Sequence, residues 1–143
     1  MKVADARLHV AEDSSTMRMC VCWILRELGI RHVDEAENGA IAFSMFRRKP
    51  YDVVIIDWGM PLVDGLHFLR AVRGGLERRD TPMLLLAGPS EVGSLHQAIG
   101  SGATGFVLKP HLNRRSSSKS RTSSRKRERE RCALLARGSP AND

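Results

Sequence analysis

The chain alternates short, unbroken apolar runs with longer stretches in which apolar residues return every three or four positions. Val53-Val54-Ile55-Ile56 is the plainest run. All four residues are β-branched and no polar position interrupts them, so Asp52–Ile56 reads as a strand buried on both faces. Met83–Leu86 is a second such run, and Arg7–Ala11, His32–Ala36 and Thr104–Leu108 are shorter strand-like segments. Helical spacing fills the intervals. After Glu12-Asp13-Ser14-Ser15, where a serine can cap, Met17, Val21, Ile24, Leu25 and Leu28 fall on one helix face, and Gly29 ends the helix. Asn38-Gly39 predicts a turn ahead of a second helix, Ala40–Arg48. Asp64 predicts the cap of a third, Gly65–Val72. There Leu66, Leu69 and Val72 recur at three-residue steps, Phe68 lies four before Val72, and Gly74-Gly75 breaks the pattern. Glu91–Gly100 predicts a fourth helix. Continuous apolar strands separated by amphipathic helices define an α/β fold with a parallel sheet covered on both faces.

Length and composition leave that picture intact. The 143 residues suffice for one domain with one sizeable core, and 42% hydrophobic with 27% charged residues is the balance of a globular chain. No apolar run approaches the roughly 20 residues of a membrane span. The opening MKVADARLHVAEDSS is too polar for a secretory signal, so a cytoplasmic location is expected. Cys20, Cys22 and Cys132 form no disulfide or metal pattern, and Cys20 and Cys22 read as small core-filling thiols. The net charge of +7 does change the picture once it is located. Residues 1–112 hold 13 Lys/Arg and 13 Asp/Glu, whereas residues 113–143 hold 10 and 3. The imbalance belongs to the tail and not to the body, so whole-chain basicity says little about nucleic acid.

The strand ends carry the candidate chemistry. In open parallel sheets ligands bind outside the carboxyl ends of the strands. The first strand ends at Glu12-Asp13, the third at Asp57 and the fifth at Lys109, so three carboxylates and one ammonium converge on one rim. Oxygen ligands of this kind suit Mg²⁺. Asp57 is thereby placed as a metal-assisted nucleophile that can form an aspartyl phosphate. Taken singly, Asp13 is a helix cap and Glu12 a loop charge; it is the convergence that points to a site.

These residues resemble the receiver domain of bacterial two-component response regulators, closest to the single-domain chemotaxis type. The resemblance covers about residues 4–111 and rests on Glu12-Asp13, "AENGAIA" at Ala36–Ala42, "DWGMPLVDG" at Asp57–Gly65 and "GFVLKP" at Gly105–Pro110. It implies a flavodoxin-like three-layer sandwich with strand order 2-1-3-4-5. It implies Asp57 as phosphoacceptor and Glu12, Asp13, Asp57 and the Gly59 carbonyl about the Mg²⁺. Lys109 would contact the phosphoryl oxygens, the Lys109–Pro110 bond would be cis, and Phe106 would be the aromatic switch residue. The implied protein is a signalling switch and not an enzyme on a separate substrate. Its partners would be a sensor histidine kinase and a downstream protein, with no membrane. Trp58 adjoins the site and suits either packing or a site role.

Two departures qualify the resemblance. Glu12 stands where the family usually has Asp, and Ala87 stands where it has a Thr or Ser hydroxyl, so the link from Asp57 to an output face is weakened. Phosphorylation-independent protein interaction is the resulting alternative. The tail departs further. The Ser/Arg run of residues 113–143 has no apolar face before Ala133-Leu134-Leu135, reads as disordered, and leaves the last helix missing or irregular. His111–Ser120 can be written in codons whose reading from the third base gives Ser-Glu-Ser-Ala-Glu-Leu-Glu-Gln-Lys, which resembles a receiver's last helix. One account of the tail is therefore a reading-frame change near residue 111. The other is a genuine basic tail for RNA, DNA or an acidic partner.

Overall fold

The computed structural model describes residues 2–109. The expected basic tail, the last helix and the Lys109–Pro110 bond lie outside the described residues. After a short 3-10 turn, Val3–Asp5, the elements alternate: β1 (Arg7–Ala11), α1 (Ser15–Glu27), β2 (His32–Ala36), α2 (Gly39–Arg48), β3 (Val53–Asp57), α3 (Gly65–Arg73), β4 (Met83–Ala87), α4 (Leu95–Gly100) and β5 (Gly105–Leu108). All strand pairs are parallel, in the order β2-β1-β3-β4-β5. Strand direction reverses its walk between β1 and β3, which opens a crevice at their carboxyl ends. On one sheet face Ile56, Met83 and Leu85 pack with Phe46 of α2, Phe68 and Leu69 of α3 and Ala98 of α4. On the other, Leu8, Val10, Ile55 and Leu86 pack with Cys22 and Leu25 of α1. No helix among the described residues is long and apolar enough to cross a membrane.

Local chemistry explains most element ends. Ser14 caps α1 by accepting from Met17 N at 3.3 Å, and Asp64 caps α3 by accepting from His67 N at 2.8 Å. α1 closes in a Schellman arrangement. Gly29, at φ 93°, donates to Arg26 O, and Ile30 donates to Leu25 O and turns back onto the core. Leu28, expected on the buried face, is instead the C-cap and 65% exposed, because the helix has already ended there. Asn38 is not a turn residue but the cap of α2, accepting from Ile41 N at 2.8 Å. β3 runs one residue further than expected and takes in Asp57 itself.

The largest correction concerns the fourth helix. Pro89–Ser94 is 3-10, and only Leu95–Gly100 is α-helical. Gly93 and Ser94 are poor helix formers, and Ser94 makes no capping bond. The opposite holds at α3, whose first residue is pressed against the site. A Cβ on Gly65 would lie 2.4 Å from the Asp57 backbone oxygen, so only glycine lets α3 begin there.

One core residue is anomalous. His9 of β1 is fully buried, and neither ring nitrogen has a hydrogen-bond partner among the described residues. Its ring meets Tyr51 edge-on at 4.9 Å. Burial pushes its pKa down to about 4, against a smaller upward pull from Asp34. The unfolded chain therefore takes up a proton near pH 6.5 that the native chain refuses until about pH 4. This contribution is fully present above pH 6.5 and drains as pH falls toward 4, by roughly 2–4 kcal/mol. Urea melts at pH 7 and 4.5 should show the native chain losing more stability than His9→Phe; equal losses would refute the assignment.

Candidate metal centre

The carboxyl ends of β1, β3 and β5 meet at three charged side chains. Glu12 and Asp57 are each 1% exposed, and Lys109 reaches between them. Lys109 Nζ stands 2.6 Å from Asp57 Oδ1 and 3.6 Å from Glu12 Oε2. The contact to Asp57 is a close ion pair. Asp57 Oδ2 and Glu12 Oε2 have no hydrogen-bond partner among the described residues, and Asp57 Oδ1 meets only the Lys109 ammonium. Lys109 is fixed by its own backbone, whose N–H donates to Ala87 O at 2.9 Å.

Glu12 is held from several sides. Its N–H donates to Ala36 O at 3.0 Å, and its Oε1 accepts from Ser14 N at 3.1 Å. Arg18 of α1 donates to the Glu12 carbonyl at 2.7 Å and pairs with Glu35 of β2 at 3.2 Å. Asp13 is exposed beside it. Glu12, Asp13 and Asp57 each offer an oxygen, and these atoms lie within 4.8 Å of one another.

The electrostatics follow from this crowding. Burial, with Asp13 and Asp57 alongside, pushes Glu12 up to about 8. Burial also raises Asp57, although the Lys109 ammonium pulls it the other way. Burial alone would raise Asp13, but its neighbours Glu12 and Asp57 outweigh that and hold it below its usual range. Burial would lower Lys109, yet Asp57 and Glu12 overcome it and the net direction is up. Hard oxygen donors, buried and unsatisfied at close quarters, are the donor set that a small divalent cation takes. The residues present fit Mg²⁺.

Every other residue expected at the site can now be placed. Gly59 is exposed on the loop after β3. Trp58 is half-buried and packs against the core of the α2–α3 face, while its N–H donates to Leu86 O at 3.0 Å. Ala87 is fully buried at the end of β4 and offers only a methyl. Phe106 is 45% exposed on β5, in register with Leu85. Two residues at this rim escaped sequence reasoning. Arg18 was assigned no role because its partners come from two other strands. Glu91 reads as the start of a helix, yet its charge reaches Lys109. Gly93 and Ser94, poor helix formers inside the expected span, were the available signal that no ordinary helix runs from Glu91.

Sheet order and an acidic cleft at the carboxyl rim define a flavodoxin-like protein whose cleft residues could hold a divalent cation. Comparison with known proteins makes this specific. A model of the response regulator receiver domain matches residues 8–117. Chemotaxis protein CheY-3 of Vibrio cholerae is 31% identical over 106 residues, covering 74% of this chain and 82% of that one. The crystal structure of V. cholerae CheY4 superimposes with a TM-score of 0.67 at 30% identity, covering 75% of this chain and 88% of that one. A sensor histidine kinase receiver domain of Pseudomonas aeruginosa, solved with a magnesium ion coordinated in its active-site cleft, shares the fold at 22% identity. Its TM-score is 0.66, with 92% of this chain and 95% of that one covered. The chain belongs to the response regulator receiver domain family of two-component signalling and is CheY-like.

Metal binding should depend on pH. Near neutrality the metal-free pair of Glu12 and Asp57 retains a proton, because Glu12 is raised to about 8. A cation must displace that proton, so Mg²⁺ affinity should climb by up to about tenfold per pH unit toward pH 8 and then level off. Trp58 fluorescence titrations from pH 6 to 9 measure this; an affinity flat below pH 8 would refute it.

Proposed function

We propose that Asp57 is the phosphoacceptor of a two-component relay, charged by a histidine kinase, and that the phosphorylated domain signals to a protein partner. The observation that carries the reading is the short Lys109–Asp57 ion pair beside carboxylate oxygens that no described group satisfies. An Asp57 oxygen attacks phosphorus, the P–N bond of a phosphohistidine breaks, and the electron pair stays on the imidazole nitrogen, which ends protonated from solvent. Lys109 is poised to hold the phosphoryl oxygens as charge accumulates on them. Glu12, Asp13, Asp57 and the Gly59 carbonyl would hold Mg²⁺. When bound it neutralises charge on the transferring group. The same site would remove the phosphoryl group by hydrolysis, so the protein is a self-directed switch with no separate substrate. The chemotaxis relatives favour a taxis pathway and a protein output.

Incubation of the full chain with acetyl phosphate and Mg²⁺ should add one phosphoryl group by intact mass. Asp57→Asn should abolish the label, and Lys109→Ala should slow labelling by about a hundredfold, as loss of one preorganised charge-stabilising donor does. A label that persists in Asp57→Asn would overturn the assignment.

A further inference from the structure

Glu91 lies at the same rim but outside the metal-ligand group. Its Oε2 is 3.0 Å from the point where Gly88 would carry a Cβ, and its Oε1 is 3.9 Å from the corresponding point on Gly59. The carboxylate thus bridges the loops that follow β4 and β3, in space left by two missing side chains. Ser90 Oγ donates to Glu91 Oε2 at 2.8 Å and holds it there. Its host segment is the 3-10 run Pro89–Ser94, where Pro89 supplies no N–H and Gly93 no side chain. That run leads directly into α4, which sits one strand from Phe106.

We infer that Glu91 is the residue through which a phosphoryl group on Asp57 moves the segment after β4, by repulsion. The inference rests on Asp57 being the phosphoacceptor. A hydroxyl at position 87 would draw this loop inward by a hydrogen bond, but Ala87 has none to offer. Phosphorylation nevertheless replaces the single charge of the Asp57 carboxylate with about two on the phosphoryl oxygens, a net gain of about one negative charge at the rim. At the loop after β4 the carboxylate that no metal ligand role claims is Glu91, half-buried, where water screens it incompletely. Like charges in such a setting separate along the softest path. The softest path here is outward displacement of Pro89–Ser94, since a 3-10 run is held by poorer hydrogen bonds than an α-helix. The sign of the response is therefore the opposite of an attractive switch: the segment loosens where a hydroxyl would tighten it.

Hydrogen exchange on the full chain in constant Mg²⁺, with and without acetyl phosphate, reads this directly when the change is expressed per labelled molecule. Phosphorylation should raise exchange across residues 89–100. In Glu91→Gln the amide oxygen still accepts from Ser90, so the loop keeps its anchor, but the increase should be lost. In 1 M salt, where the Debye length is about 3 Å, the native increase should shrink, which a purely structural role for Glu91 would not produce. An undiminished increase in Glu91→Gln, or a decrease in the labelled native chain, would overturn the inference while leaving Asp57 as phosphoacceptor. A native chain that takes no label would overturn the phosphoacceptor reading, and this inference with it.

Discussion

Two buried carboxylates facing one ammonium are the constraint around which this domain is arranged. Glu12 and Asp57 sit 1% exposed at adjacent strand ends, and Lys109 Nζ lies 2.6 Å from one and 3.6 Å from the other. Such burial is costly unless the charges are compensated. The compensation comes from three separate strands, so the parallel sheet must be correctly ordered before the site exists. Removing Lys109 would leave negative charge with no described counter-ion inside the cleft. Adding a divalent cation relieves the same imbalance from outside. Correct folding and the capacity to hold a cation are thus coupled through the same buried charges.

Much of this was legible in the chain because it rests on short-range pattern. Unbroken apolar runs marked β3 and β4, the strands at the middle of the sheet, whereas β1, β2 and β5 showed only as shorter strand-like segments. The convergence of Glu12, Asp13, Asp57 and Lys109 followed from strand ends alone, and the structure brings these groups together. What escaped depended on partners distant in sequence or on competition between local preferences. Leu28 fits the helical period, but Gly29 ends the helix one residue too early for it to be buried. Glu91 fits a helix start, but Pro89 and Gly93 favour the tighter 3-10 turn, which changes where its carboxylate falls. His9 carried no signal, because an imidazole buried among apolar neighbours leaves no pattern in a strand. Arg18 joins Glu12 to Glu35 across two strands, a link no spacing rule foresees.

Ala87 ties these threads together. It is fully buried, and its carbonyl anchors Lys109, so its backbone contributes to the site even though its side chain cannot. Position 87 therefore keeps a structural duty without a polar one. Any communication between the acidic cleft and the β4–α4 side has to pass through groups other than this side chain.

The close fit of Gly65 beneath Asp57 bears on how stiffness is shared around the cleft. The Gly65 N–H bonds Trp58 O at 3.0 Å, and the Trp58 N–H bonds Leu86 O at the same distance, so Trp58, the residue following Asp57, is clamped on both sides. The facing wall, Gly88 through Ser94, is held by 3-10 turn bonds such as Glu91 N to Gly88 O and Leu95 N to Val92 O, which are poorer than those of an α-helix. The cleft is thus mechanically lopsided, with an anvil on the β3 side and a spring on the β4 side. An outward push within the cleft would therefore meet its softer wall on the β4 side.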